Sequence, residues 1–352
     1  MGLAGDILQM NVGQMLQTPV LPSTDFTGKT IIITGANQGL GFEAAKHLLV
    51  ISIPDPLKVA DRDYHSYQLN AANLILACRN LTKGEEARKA ILASGRHSSP
   101  GKIEVWQLDM SKYSSVLAFG DRINSLPRLD VLIANAGMNT TQFERLEGHE
   151  STITVNVIST ILLATLTVPK LRETSKLSHA PSRLVITGSA VHIFADHKCL
   201  STPKQGQVFK TLDDEPTADM TDRYYLSKLV LLLAYRGLAK ELDHSSEKGS
   251  KAVVLNFVNP GWCKTELFRT ADGGLGARIG LCLVGRAAEE GSRTLVHAAA
   301  VGEEAHGKYL SECRVKPEST WARSQQGVEV EKGVWAELVD ILEGIRPGVT
   351  KF

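Results

Sequence analysis

KTIIITGANQGLG, residues 29–41, decides how the rest of the chain is read. Its first half is a β-branched run, the composition of a strand buried on both faces. Its second half carries Gly35, Gly39 and Gly41 and leads into a helix that reads from Leu40 to Leu49. Between a strand and a helix these glycines have separate physical tasks. Gly35 permits the tight turn, Gly39 lets backbone approach a pyrophosphate, and Gly41 lets helix and strand pack closely. The helix N-terminus adds unpaired N–H groups and a partial positive charge, which suit phosphate. The spacing is G-x-x-x-G-x-G rather than the general G-x-G-x-x-G, so the loop alone is equally compatible with an ordinary strand–helix turn.

Outward from this unit, the pattern repeats. NLILACRN (73–80), KIEVWQLD (102–109), LDVLIANAG (129–137), SRLVITGS (182–189) and KAVVLNFVNPG (251–261) read as strands. TKGEEARKAIL (82–92), SVLAFGDRI (115–123), residues 149–172 and residues 222–243 read as helices. Near-continuous apolar strands alternating with helices predict an α/β fold, a doubly wound Rossmann-like parallel sheet with helices on both faces, in a single domain. Residues 1–25 form an N-terminal extension whose start reads as an amphipathic helix lying on the body, and residues 26–352 form the main domain. Two long loops interrupt the rhythm, at 51–72 and 192–221. The first reads as a peripheral elaboration, the second as a segment that shapes a substrate pocket. Polar or glycine signals end four strands: the glycine loop, Asp109, Asn135–Gly137 and Ser189. In a doubly wound sheet those ends converge on one crevice.

Bulk composition excludes several classes. The formal charge of the 352 residues is +1, with 39 basic and 38 acidic side chains, which gives no electrostatic reason to bind nucleic acid or an anionic membrane. Five cysteines, none in a C-x-x-C pair, argue against a disulfide framework or a metal site and for a reducing, cytoplasmic setting. No run of about 18 apolar residues predicts a membrane-spanning helix. The first residues lack a basic region and an unbroken apolar core, so they do not read as a signal peptide.

TDRYYLSK, residues 221–228, places two phenols near one ammonium. Tyr224 precedes Lys228 by four positions and Tyr225 by three, and both spacings share a helix face. At 100° per residue Tyr224 is offset by about 40° and Tyr225 by about 60°, a lean toward Tyr224 and no more.

TGANQGLG (34–41), LACRN (76–80), LDM (108–110), NAG (135–137), VN (155–156), ITGSAVH (186–192), YYLSK (224–228) and NPGWCKT (259–265) follow one another in an order that resembles the short-chain dehydrogenase/reductases. The resemblance covers residues 26–345. AAEEGSRTLVHAA (287–299) and GKYLSECRV (307–315) are further similar to the retinol-dehydrogenase-like branch and its fungal relatives in secondary metabolism. The resemblance implies a catalytic tetrad of Asn156, Ser189, Tyr224 and Lys228, and its Tyr-x-x-x-Lys pattern selects Tyr224 over Tyr225. Tyr224 is implied to be the acid. Lys228 is implied to lower the phenol's pKa through its charge and to bond the nicotinamide ribose. Ser189 would donate to the substrate oxygen, and Asn156 would hold a relay water. The implied cofactor contacts are Gly35, Asn37, Gly39, Leu40, Gly41, Asn135, Ala136, Gly137, Pro260, Gly261, Thr265, Tyr224 and Lys228, with Asp109 and Met110 at the adenine. The chain departs from most of the family in the 51–72 insertion and in the long gap between Ser189 and Tyr224.

Where an NAD enzyme carries a carboxylate after the second strand, this chain has Cys78 followed by Arg79, with Lys83 nearby. A guanidinium there suits a 2′-phosphate, which predicts NADPH/NADP+. The function that follows is NADPH-dependent reduction of a ketone or aldehyde, reversible as alcohol oxidation, on a hydrophobic small molecule, by a monomer or homodimer. FRTADGGLGARIGLCLVG (268–285) reads as an apolar lid over the site. The alternatives are a non-redox isomerase, dehydratase or rearrangement enzyme on the same fold, and a non-catalytic cofactor-binding module. His192 reads as structural or pocket-lining, and Cys263 as a small hydrophobe.

Overall fold

The structure is a computed structural model describing residues 2–49, 69–94, 101–201, 206–245, 251–268 and 284–352. The 51–72 insertion, except its last residues, and the 268–285 segment, except its two ends, lie outside the described residues.

The apolar runs pair as the sequence implies. Strands β1 (Thr30–Thr34), β2 (Asn73–Cys78), β3 (Lys102–Gln107), β4 (Val131–Ala134), β5 (Ser182–Thr187), β6 (Val253–Asn259), β7 (Lys308–Ser311) and β8 (Arg314–Val315) form one sheet. Its order is β8-β7-β6-β5-β4-β1-β2-β3, and every pairing except β7 with β8 is parallel. The order reverses between β1 and β4, so a crevice opens beyond Thr34 and Ala134, where such sheets bind ligands. Both sheet faces are covered. Helices α2 (Gly39–Leu49), α3 (Leu81–Ser94) and α7 (Ala288–Ala300) pack on one face, around Ile31, Ile33, Leu48, Ile91 and Leu295. Helices α4 (Tyr113–Asn124), α5 (Ser159–Ser178) and α6 (Arg223–His244) pack on the other, around Ile32, Phe119, Leu162 and Leu231, with α8 (Gln325–Ile345) outside α6. The doubly wound α/β fold is therefore as the sequence predicts. Helix α1 (Leu3–Leu16) lies ahead of β1.

The helix read over 149–172 differs. His149–Glu150 is a short strand paired with Arg145–Leu146, Ser151–Ile153 is one α-turn, Thr154–Ile158 is a π-turn, and α5 continues to Ser178. Glu150 caps the start, its carboxylate accepting the amides of Thr152 and Ile153 at 2.8 and 3.1 Å. The far end extends because Thr174 is buried there and its hydroxyl accepts the Leu129 amide at 2.8 Å. The helical run Ser151–Ser178 is long and apolar enough to cross a membrane, with mean hydropathy 1.7 over an 18-residue stretch, yet that stretch is wholly buried by the surrounding helices and sheet. It is a core helix.

Candidate active site

The glycine loop has the backbone and the close packing that its glycines allow. Gly35 and Gly39 have φ of +66° and +57°, the left-handed region that glycine enters without strain. A Cβ on Gly41 would lie 2.6 Å from the Gly35 carbonyl and 2.8 Å from Asn135 Nδ2, so the helix can sit this close to the strand only as glycine. Asn37 and Leu40 are half-buried on the same turn. Thr34, which sequence reading passed over, joins this loop to the next strand end. Its hydroxyl accepts the amides of Asn135 and Ala136 at 2.9 and 2.8 Å, and its carbonyl accepts Asn135 Nδ2 at 3.0 Å. The Asn135–Gly137 turn is thus pinned directly beside the helix N-terminus.

Four side chains converge next to it. Tyr224 lies in the first turn of α6, and Lys228 one turn later, both 5% exposed. Ser189 follows β5 and its hydroxyl hydrogen-bonds the Tyr224 phenol. Asn156 sits at the centre of the π-turn, a distortion common at functional sites. Its Oδ1 accepts the Met138 amide at 2.8 Å, and its Nδ2 donates to the Met138 carbonyl and to Ser227 Oγ at 2.9 and 3.0 Å. Ser227 donates in turn to the Tyr224 carbonyl at 2.8 Å. Asn156 therefore braces the Asn135–Gly137 turn against α6. Both its amide hydrogens are engaged by protein, which leaves only an Oδ1 lone pair for the relay water implied by the resemblance.

Lys228 donates to the Thr187 carbonyl at 3.0 Å, and its ammonium stands 5.8 Å from the Tyr224 ring centroid. Here the electrostatics differ from the expectation that Lys228 pulls the phenol's pKa down. Burial dominates both groups. It pushes the Tyr224 phenol well above its ordinary value, with Tyr225 adding to the rise and the Ser189 hydrogen bond opposing it. The same burial lowers Lys228 to about 8. In this state the phenol is held protonated, ready to donate, and Lys228 can lose its charge near neutral pH.

Tyr225 is half-buried and turned to the other side. Its ring pairs with Phe194 at 6.3 Å, within the 192–221 segment. That segment is fastened to the body at Asp213. The carboxylate accepts His149 Nδ1 at 2.7 Å and the Glu150 amide at 2.8 Å.

His192 is structural, as read. Its Nε2 accepts the Ser319 amide at 3.2 Å, which leaves Nδ1 to donate to the Ser189 carbonyl at 2.7 Å. Burial lowers its pKa to about 4. The unfolded chain takes up this proton near pH 6.5 and the folded chain near 4, so the stability is present above 6.5 and lost as pH falls toward 4. The loss is about 3 kcal/mol. Urea midpoints at pH 7.5 and 4.5 measure it. The drop should shrink in His192→Gln, and an equal drop in both proteins would refute the assignment. Cys263 behaves as the small hydrophobe predicted, buried, with its thiol pushed up to about 12 by that burial.

The remaining predicted contacts lie around the crevice. Pro260, Gly261 and Thr265 follow β6, and Thr265 Cγ2 would be 3.6 Å from a Cβ on Gly39. Asn259, missed by the sequence, fixes this corner: its Oδ1 accepts the amides of Ala190 and Gly261 at 2.9 and 3.1 Å, and its Nδ2 donates to Ser311 Oγ at 2.9 Å. Asp109 accepts Ser111's amide and hydroxyl at 3.0 and 2.7 Å, and buried Met110 receives Ser159 Oγ at 2.7 Å. Arg79 and Lys83 are exposed beyond β2. Arg79 has no ion-pair partner among the described residues. The glycine cradle, the first-turn amides of α2 and these cations fit a nicotinamide dinucleotide. No group of residues suited to a metal occurs among the described residues.

The family model described as short chain dehydrogenase matches residues 66–191. A short chain dehydrogenase/reductase of Cryptosporiopsis sp. (strain 8999) is 38% identical over 344 residues, 96% of this chain and 97% of the relative. Among solved structures, an uncharacterised protein from Mycobacterium paratuberculosis superposes with TM-score 0.62 at 22% identity, covering 92% of this chain and 96% of that one. The Pseudomonas aeruginosa RhlG/NADP active-site complex superposes with TM-score 0.55 at 20% identity, covering 83% and 97%.

Proposed function

The chain belongs to the short-chain dehydrogenase/reductase family, and we propose that within this group of oxidoreductases it reduces a ketone or aldehyde on a hydrophobic small molecule with NADPH. One observation carries the reading: the side chains of Tyr224, Ser189, Lys228 and Asn156, each held by its own hydrogen bonds, stand together beside the glycine cradle at the reversal point of the sheet.

When bound, the reduced nicotinamide supplies a hydride to the carbonyl carbon. The chain's residues handle the oxygen. As the carbonyl π pair moves onto that oxygen, Tyr224 donates its phenolic proton, and Ser189 donates a hydrogen bond where negative charge grows. Lys228, with its pKa near 8, is placed to return a proton to the phenolate. Asn156 and Ser227 hold the turn and helix that carry these groups.

Preference for NADPH is supported by Cys78 and Arg79. A buried thiol stands where a carboxylate would accept the ribose 2′-OH, and an exposed guanidinium follows it. The RhlG structure is described with NADP. Free thiols at Cys78, Cys199, Cys263 and Cys313 support a reducing, cytoplasmic location.

The test is NADPH oxidation against a panel of aromatic and aliphatic ketones and aldehydes, with Kd for NADPH and NADH. NADPH should bind at least tenfold tighter than NADH, and Arg79→Ala should remove most of that margin, about 1.5–3 kcal/mol for a charge-assisted contact. Equal affinities in the parent protein would refute the preference. Tight NADPH binding with no consumption of any carbonyl would favour non-redox proton transfer by Tyr224.

A further inference from the structure

The N-terminal helix has no role in the chemistry above, yet it is bolted to the loop that follows β6 and reaches the glycine cradle. Gln14 forks across that loop. Its Nε2 donates to the carbonyls of Trp262 and Val284 at 3.1 and 2.8 Å, and its Oε1 accepts the Trp262 amide at 2.9 Å. Buried Arg286 completes the fastening. Its Nη2 donates to the carbonyls of Gly13, Gln14 and Gln17 at 2.6, 3.3 and 2.6 Å, placing its charge at the C-terminal end of α1, the negative end of the helix dipole. Its Nη1 pairs with buried Glu312 at 3.2 Å, and its backbone bonds Trp262 and Lys264.

The attachment is polar where an amphipathic helix would attach by its apolar face. Leu8, Met15 and Leu16 are exposed, and only Gly13 is buried. A helix held for burial turns its apolar stripe inward. This one turns the Gln14 amide and the carbonyls of its last turn inward instead, onto Trp262, Val284 and Arg286. Gly261 confirms how close the approach is: its φ is +84°, and a Cβ there would lie 2.5 Å from Arg286 Nη1 and 2.8 Å from Gln14 Oε1. The stretch so held ends at Thr265, which lies against Gly39 of the glycine cradle.

We propose that α1 is a clasp that sets the position of Gly261–Thr265 against the glycine loop, and that Gln14 is thereby a positioning residue for the nicotinamide cofactor. The proposal rests on the nicotinamide reading. Its test uses the full chain in three forms: parent, Gln14→Ala, and Asp6→Asn. Asp6 holds the other end of α1, accepting the Thr320 amide and hydroxyl at 2.7 Å each. The first measurement is amide hydrogen exchange without cofactor. Gln14→Ala should exchange the Trp262 and Lys264 amides at least tenfold faster than the parent. The second is calorimetric Kd for NADP+ and NAD+. Gln14→Ala should weaken binding about tenfold, the size of one or two lost hydrogen bonds, and raise the KM for cofactor in step. Asp6→Asn should leave Kd and the exchange of those two amides unchanged. Unaltered exchange and Kd in Gln14→Ala would overturn the clasp, and an equal loss of affinity in Asp6→Asn would overturn the positioning role assigned to Gln14. A parent protein that binds neither nucleotide would overturn the nicotinamide reading instead, and the exchange measurement would still decide whether Gln14 holds the loop.

Discussion

Tyr224→Phe is expected to lower kcat for carbonyl reduction by about a thousandfold, the middle of the range for a lost general acid. The substitution removes one oxygen from a buried ring and leaves the ring's packing in place. Ser189 loses a partner, a cost of about 1 kcal/mol, so thermal unfolding should move by only a few degrees. Nucleotide Kd should hold within twofold, because the glycine cradle and the Asn135–Gly137 turn do not depend on the phenol. Tyr225→Phe is the control. The contacts of Tyr225 are made by its ring, against Phe194 and against Tyr224 at 6.3 Å each, and Phe keeps the ring. That variant should retain most activity. An active Tyr224→Phe enzyme would sink the proton assignment, and an inactive Tyr225→Phe enzyme would move it to the neighbouring phenol.

The two tyrosines also show what sequence could and could not decide. Their order and spacing to Lys228 are visible in TDRYYLSK, and the apolar strands fix which ends meet, so the crevice was legible in advance. The electrostatics were not. From spacing alone an ammonium one turn from a phenol lowers its pKa. In the fold both groups are buried, and burial raises the one and lowers the other. Burial is a sum over distant segments that no local pattern carries. The same holds for the entry to α5. A reader of residues 149–172 sees a long apolar helix, whereas the capping carboxylate of Glu150 and the Asp213 contact to its amide fix a strand and then a π-turn. Strand β7, only KYLS, is too short and polar to declare itself, and it exists because β6 offers it a parallel edge. Gln14 and Trp262 meet across most of the chain's length, so their contact has no sequence signature at all.

Gly188 is the glycine whose loss should damage both fold and chemistry. It lies between Thr187, whose carbonyl receives Lys228, and Ser189. A Cβ there would fall inside the ring of Phe257 on the adjacent strand. That ring is fully buried and cannot withdraw, since Tyr235 and Tyr309 pack on it at 5.1 and 6.2 Å. The backbone must give way instead, at the point where the Gly188 amide donates to the Val258 carbonyl at 2.8 Å. Overpacking of this kind costs about 1–3 kcal/mol. Gly188→Ala should therefore lower the melting temperature by several degrees, at about 2–4 °C per kcal/mol or less for a chain of this size. Because the displaced backbone carries Ser189 and the anchor of Lys228, kcat should fall about a hundredfold, as a misplacement near 1 Å does. Adding Phe257→Leu makes room for the methyl and should recover part of the stability. If Gly188→Ala melts and turns over like the parent protein, the ring has room that the close approach denies, and this strand end does not hold the site rigidly.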